Sequence, residues 1–383
     1  MKKVLLSASL CMMALACGNH ENTKAICVHT DPVQVAPDAT NGDEYLYTIT
    51  FNDLDFFAAG EIMKEYFDVN EAQPAGCSSV RNGKYYGRNL DFYVNKNADF
   101  IIRTSASKDR YASIGMSADY PLCLKESVDN GTLTEEDYAA IAYYMTDGIN
   151  EKGVAINGNV VPCGECERTT GTNPGAPAVV TNGVVRYVLD NAASVDEAVE
   201  LLKGINIVVP SDEKFHFEEH WMISDPEKTV CVEIWNNELV VVDDNVMTNF
   251  YVSHPDTEMG IGHERYELLK AHLDEGTSVE GMHNLMKRVW YSNAYSTKAD
   301  PLWYTDGLED GCGFTWSDIK AGNVEKAYEV IVESEAKYRS VEYQKSIRTA
   351  EEWYTTHSIV YDLEARTLSL IAQENDTVWE FQL

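Results

Sequence analysis

The pair Gly76-Cys77 is the point in this chain of 383 residues where side-chain types offer chemistry. A cysteine attacks only as its thiolate, so it needs a base and an electropositive setting. His220, His254 and His263 are available as bases, but none stands in a recognisable cysteine-protease context. The other source of a base is the cysteine itself. A cut before Cys77 would free an α-amino group of pKa about 7.7–8.0 beside the thiol, so that one residue carries both nucleophile and base. Arg88 and Asp91 follow closely. A guanidinium near the sulfur favours thiolate over thiol, and a carboxylate can hold the amine in place. Without a nucleophile beside them, the same two residues would read as a strand-edge ion pair.

The other cysteines are Cys11, Cys17, Cys27, Cys123, Cys163, Cys166, Cys231 and Cys312. In an exported chain most of them are expected to pair. Cys163-Gly-Glu-Cys166 has C-x-x-C spacing, which suits a local disulfide better than a redox pair, because no thioredoxin-like βαβ pattern surrounds it. A second C-x-x-C and a following histidine cluster are both missing from the sequence, which argues against a zinc ribbon.

These residues need elements to hold them. Asn82-Gly83 between two short β-prone runs predicts a hairpin that starts at Cys77, with a type I′ turn at that dipeptide. Residues 45–51 are β-prone and residues 54–67 have helical spacing, while 17–44 read as a polar linker. Further strands are expected at 100–105, 154–161, 178–185, 221–224, 229–242 broken at Asn236-Asn237, 358–362, 367–372 and 377–383. Capping-box starts at Thr134, Ser194 and Thr277 predict helices, and Gly204 and Gly276 supply stops. Strand runs broken by helical blocks point to α+β with antiparallel sheets rather than alternating βαβ units.

Lys2 and Lys3, the apolar residues 4–16 and a small-residue exit follow the plan of a bacterial secretory signal. Ala14-Leu15-Ala16 fits a cleavage site, and Leu15-Ala16-Cys17 a loose lipobox that would place a lipid anchor on Cys17. Either way the expectation is export, to the periplasm or as an outer-membrane-anchored lipoprotein. The apolar stretch is shorter than the roughly 20 residues that span a bilayer. Thirty Lys and Arg against 62 Asp and Glu give a net charge of −32, which repels phosphate backbones and makes nucleic acid an unfavourable partner.

Gly76-Cys77-Ser78-Ser79, the strand Tyr86-Gly-Arg-Asn-Leu-Asp-Phe92, Asp147-Gly-Ile-Asn-Glu-Lys-Gly153, Glu219-His220-Trp221 and Thr248-Asn249 occur in an order that resembles the choloylglycine hydrolases. That family contains bile salt hydrolases and penicillin V acylases, and it belongs to the N-terminal nucleophile superfamily. The resemblance runs from Cys77 to the carboxyl end. It implies a four-layer αββα fold with two stacked antiparallel sheets over residues 77–383, after a signal peptide at 1–16 and a linker and propeptide at 17–76. Residues 45–67 of that segment would either be removed by autocleavage or stay bound to complete a sheet.

By resemblance Cys77 is the nucleophile, Asp91 orients the amine or the substrate, and Arg88 is the arginine beside the nucleophile. Asn249 resembles the asparagine whose side-chain amide helps form an oxyanion hole. Asn159, with Asn157 as a competitor, resembles the position that adds a backbone N–H; an Asn there leans toward bile salt hydrolases, whereas penicillin V acylases tend to carry Tyr. Arg265 resembles the late active-site arginine, although the segment before it, Met-Gly-Ile-Gly-His-Glu, departs from the family pattern. The resemblance implies a small-molecule amide substrate with an apolar acyl group, packed by residues such as Trp290, Tyr291, Trp303 and Tyr304. It requires no metal or organic cofactor and allows a homo-oligomer. Conjugated bile salts lead as substrate, ahead of penicillin V and N-acyl amino acids or lactones. A non-catalytic exported binding protein, in which Cys77 stays internal, is the reading from another class.

Overall fold

The hairpin that begins at Cys77 sits in the second of two stacked sheets. The computed structural model describes residues 25–35, 45–66, 77–93, 98–118, 122, 124–161, 170, 173–208, 219–255, 260–290, 353–372 and 377–383. The leader with Cys17, the Cys163/Cys166 pair, Tyr291, Trp303 and Tyr304 lie outside these residues. In chain order the elements begin with β1 (Cys27–His29), β2 (Val33–Gln34), β3 (Leu46–Leu54), α1 (Phe56–Tyr66), β4 (Cys77–Asn82), β5 (Tyr85–Tyr93), β6 (Asp99–Thr104) and β7 (Ser113–Ala118). They continue with α2 (Lys125–Asn130), α3 (Glu135–Tyr143), β8 (Asp147–Asn150), β9 (Ala155–Val160), β10 (Ala178–Val180), α4 (Val184–Asn191), α5 (Val195–Lys203), β11 (Asn206–Val208) and β12 (Glu219–Ser224). The remainder are β13 (Thr229–Trp235), β14 (Glu238–Val242), β15 (Val246–Met247), β16 (Asn249–Phe250), β17 (Gly260–Ile261), α6 (His263–Ala271), α7 (Val279–Lys287), β18 (Trp353–Asp362), β19 (Thr367–Ala372) and β20 (Trp379–Gln382).

The larger sheet runs β1-β3-β6-β7-β8-β9-β12-β13-β14, with β2 also on β3, and the smaller runs β15-β4-β5-β18-β19-β20. Within these two sheets every pairing is antiparallel except β3 with β6. Three apolar layers separate four structural ones. Ile101, Ile114, Met116, Ile149 and Met222 of the larger sheet meet Tyr86, Ile359, Tyr361, Leu368 and Leu370 of the smaller. Outside the larger sheet, α1, α3, α4 and α5 bury Met63, Ile141, Val188, Leu189 and Leu202 against Ile49, Phe100, Ile156 and Trp221. Outside the smaller one, α6 and α7 bury Leu268, Met282 and Met286 against Val80 and Val360. This is the expected αββα order, formed because each sheet presents one apolar face to its neighbour and one to helices.

Four local expectations are corrected. The hairpin turn is Gly83-Lys84, not Asn82-Gly83, since Asn82 pairs with Tyr85. Gly83 takes φ +58°, the left-handed geometry that a first turn position of type II′ demands and that glycine adopts without strain. Residues 178–185 are not one strand. The run 184–189 is rich in β-branched residues, but Val184, Val185, Val188 and Leu189 recur on one helical face, and the outer core takes them as α4. The last capping residue is Ser278 rather than Thr277, with its hydroxyl accepting from the Gly281 N–H. Thr134 and Ser194 cap as expected, and Asn236 and Asn237 both take the positive φ of a type I′ turn.

The fourth concerns the segment before Cys77. The stretch 17–44 was read as linker, yet β1 and β2 lie within it and pair with β3. β3 in turn pairs with β6, and its Leu46, Ile49 and Phe51 are almost wholly buried. Cys27 and Cys231 also differ from expectation, being buried free thiols and not disulfide partners, while Cys77 is a free thiol as a nucleophile must be.

Candidate active site

Cys77 opens β4, and strand alternation turns its neighbour Ser78 toward the α6 layer and Ser79 toward the larger sheet. The contacts agree. The Ser79 hydroxyl donates to Asn159 Oδ1 on β9 at 3.4 Å, and Ser78 Oγ accepts from Arg265 Nη1 on α6 at 2.9 Å. Arg88 and Asp91 are three residues apart on β5, an odd spacing that puts them on opposite faces. They therefore do not serve one another. Arg88 points between the sheets, pairs with Asp147 at 3.3 Å and donates to the Gly158 carbonyl at 3.1 Å. Asp91 faces the helices and pairs with Arg265 at 3.4 Å, while its other oxygen accepts from Thr355 Oγ1 at 2.6 Å.

Arg265 is the organising cation. Besides Ser78 and Asp91 it donates to the Cys77 carbonyl at 2.7 Å and to Asn249 Oδ1 at 2.9 Å. It approaches so closely because Gly262 opens the helix. A Cβ at Gly262 would lie 2.6 Å from Arg265 Nη2 and 3.0 Å from Thr248 Cβ, and the residue also takes φ +84°. Gly262, within the segment that departs from the family pattern in sequence, thus lets the arginine reach the site.

Asn249 Oδ1 also accepts the Cys77 N–H at 2.8 Å, and Asn249 Nδ2 donates to the Val160 carbonyl at 2.7 Å. An amide nitrogen carries two hydrogens, so a second is left for a developing oxyanion. The backbone N–H of Asn159 does not lie on the same edge of β9. The Gly158 N–H reaches the Thr146 carbonyl on the β8 side of β9, so alternation puts the backbone of Val160 on that edge too. The backbone of Asn159 faces β12 instead, opposite His220. Asn159 contributes its side chain: Nδ2 donates to the Thr248 carbonyl at 3.1 Å, and Oδ1 accepts from Asn157 Nδ2 at 2.7 Å. The lean toward bile salts drawn from Asn159 presupposed its backbone N–H, which faces β12.

Burial dominates the electrostatics of the thiol. It pushes Cys77 above its ordinary value, although Arg88 and Arg265 pull the other way and the Asp91 carboxylate adds to the rise. The guanidinium was expected to favour the thiolate; desolvation outweighs it, so the resting group is the thiol. Behind Arg88 lies a second network that sequence reasoning did not assign. His357 Nε2 sits 3.2 Å from both Arg88 Nη1 and Asp147 Oδ2, and Tyr361 donates to Asp147 Oδ1. Burial alone would raise Asp147, but Arg88 and then His357 hold it below the usual carboxylate range. Burial lowers His357, which leaves a neutral ring. His220 belongs to the scaffold: Nε2 donates to the Thr248 carbonyl at 2.8 Å and Nδ1 lies 3.1 Å from Glu233 Oε1, fixing the residue before Asn249. Asp147 and His220 stood in the quoted motifs; Thr355 and His357 precede the expected strand 358–362 and carried no signal, the strand in fact beginning at Trp353.

The six expected residues thus meet around one strand start. The model of the linear amide C–N hydrolases, choloylglycine hydrolase family, matches residues 77–288. The chain belongs to this family. Choloylglycine hydrolases of this kind cleave linear amide C–N bonds, and the protein is accordingly an amidohydrolase. Among solved structures it is similar to a mutant conjugated bile acid hydrolase from Clostridium perfringens, at 19% identity, 81% of this chain, 92% of that chain and a TM-score of 0.44. It is also similar to a penicillin V acylase from Agrobacterium tumefaciens, at 15% identity, 80% of this chain, 86% of that chain and a TM-score of 0.37. A search of the curated proteins found no match.

Proposed function

We propose that the protein is an exported N-terminal nucleophile amidase in which Cys77, freed by a cut before it, attacks a linear amide with an apolar acyl group. The observation that carries this reading is the convergence of Arg265 and Asn249 on the backbone of Cys77, with Asp91 paired to the same Arg265. A backbone N–H held by Asn249 Oδ1 is where a free α-amine would lie, with Arg265 between it and the carboxylate of Asp91. The amine takes the proton from the buried thiol as sulfur attacks the carbonyl carbon. Asn249 Nδ2 and the Val160 N–H receive the oxyanion, a preorganised donor being worth about 2.7–4 kcal/mol to the transition state. The tetrahedral adduct collapses to a thioester as the leaving amine accepts the proton, and water, deprotonated by the same α-amine, releases the acid.

Residues 25–66 stay with the body in this reading, because removing β3 would strip the larger sheet of a doubly paired, buried strand. The leader supports export, with Cys17 as the lipid attachment point. Glycine- and taurine-conjugated bile salts are the first substrates to screen, then penicillin V and N-acyl amino acids and lactones. Intact mass and N-terminal sequencing of protein from the exported fraction should show a chain beginning at Cys77, and Cys77→Ala should abolish turnover of the best amide while leaving the circular dichroism unchanged. Turnover that survives Cys77→Ala would remove the mechanism.

A further inference from the structure

Far from the nucleophile, β1 carries Cys27 and His29 against the first turn of α3, where Glu135 follows the capping Thr134. One ligand atom from each of Cys27, His29 and Glu135 lies within 4.8 Å of the other two. Cys27 Sγ is 4.0 Å from Glu135 Oε2, and His29 Nε2 is 3.8 Å from Glu135 Oε1. The thiol is free and buried, while the carboxylate is on the solvent side.

The histidine is held for ligation. Its ring stacks on Tyr138, with centroids 3.4 Å apart and planes at 17°. Nδ1 faces the Thr30 carbonyl at 3.1 Å, which is only an acceptor, so Nδ1 carries the proton. In the neutral ring Nε2 is then a lone pair aimed at a carboxylate oxygen and a sulfur. A histidine whose far nitrogen donates to a backbone carbonyl is the usual supporting arrangement of a metal ligand.

We propose that Cys27, His29 and Glu135 bind one zinc-type divalent cation that clips β1 to α3. A mixed S, N, O donor set suits Zn²⁺, whereas Mg²⁺ and Ca²⁺ take oxygen ligands. Tetrahedral zinc with bonds of about 2.0–2.3 Å brings its ligand atoms to about 3.3–3.6 Å of each other. The present separations, all within 4.8 Å, must contract on uptake; the exposed Glu135 side chain can close its part, and the edge strand β1 the rest. The fourth position faces solvent and takes water. Burial, and then the Glu135 charge, push the Cys27 thiol up to about 11. Uptake therefore forms the Zn–S bond as the S–H proton passes to solvent. The clip joins residues 108 apart in sequence and fastens the edge strand that precedes β3 to the helical layer. It stands independently of the fate of the bond before Cys77.

The test is binding of Zn²⁺ alone to chelator-treated full-length protein, with Co²⁺ as the spectroscopic probe. Wild type should bind one equivalent at this site, show a thiolate-to-Co²⁺ charge-transfer band, and rise in Tm by roughly 2 °C or more at saturating Zn²⁺. His29→Gln and Cys27→Ala should each lose that equivalent and the band. The double variant Cys163→Ser, Cys166→Ser, which removes the other metal-capable pair in the sequence, should keep both. If His29→Gln binds as much Zn²⁺ as wild type, or if wild type binds none, the site is an ion pair of His29 with Glu135 and the proposal fails. His29 is partly exposed, so its variant is expected to fold even where Cys27→Ala does not.

Discussion

Replacing Arg265 by Met tests whether one guanidinium organises the site. Arg265 is about 1% exposed and pairs with Asp91, which is wholly buried. The Met side chain fills similar space but takes the Arg265 charge away from buried Asp91 and withdraws a donor from the Cys77 carbonyl, Ser78 and Asn249 Oδ1. Breaking a buried pair from one side typically costs about 3–5 kcal/mol, because the surviving charge keeps its desolvation penalty. Asp91→Asn should fall in the same range, since it removes the Asp91 carboxylate charge from buried Arg265. The double variant leaves no charge and should cost at least 2 kcal/mol less than the sum of the singles, by roughly the penalty counted twice. The assay is urea unfolding of all four proteins followed by tryptophan fluorescence, at fixed pH and salt. A cost of under about 1 kcal/mol for Arg265→Met would refute the reasoning. So would single costs that sum to the double within about 0.5 kcal/mol, since they would show the pair to be uncoupled.

If Asn249 Nδ2 meets the oxyanion as proposed, Asn249→Ala should lower kcat on the best amide substrate by about 10²–10³ with KM nearly unchanged, because that charge exists only in the transition state; steady-state kinetics should show an equal loss in kcat and kcat/KM, and a loss confined to KM would overturn the role. His283, buried between α7 and β19 with Nε2 2.9 Å from Ser369 Oγ, is pushed down to about 4 by desolvation and then by Lys287. Its folded value lies below its unfolded one, so the unfolded chain binds the proton first and stability is lost as pH falls from about 6.5 to 4, by roughly 3 kcal/mol at most. His283→Gln should flatten that part of the stability–pH curve in denaturant titrations, and an unchanged slope would show that the group does not control it.

The tertiary structure brings together residues whose separation in sequence hides their relation. Arg88 and Asp91 look like partners at a spacing of three, but a strand's period of two sends them to different layers, one to Asp147 and the other to Arg265. Arg265 lies 188 residues after Cys77, and the weak match of its flanking segment concealed a Gly262 that matters only because Arg265 and Thr248 crowd it. Asn159 was expected to offer its backbone, and a shift of one residue reversed that, because consecutive strand residues direct their N–H groups to opposite neighbours. The cluster of Cys27, His29 and Glu135 was equally invisible, since two of its members lay in a stretch read as linker.

What the sequence determined by itself is local or motif-borne. The hairpin at Cys77, though not its turn register, the caps at Thr134 and Ser194, the Asn236-Asn237 turn and the α+β class follow from turn chemistry, capping and strand patterning, while the αββα layering was implied by the resemblance to the choloylglycine hydrolases. What only the tertiary structure decided is non-local. The stacking of two sheets chose which face of β5 meets which cation, the helical layer overrode the β-propensity of residues 184–189, and burial turned a thiol flanked by arginines into a protonated one. The physical reason is the same in each case: propensity and spacing act over a few residues, whereas desolvation and ion pairing depend on which distant surfaces are brought into contact.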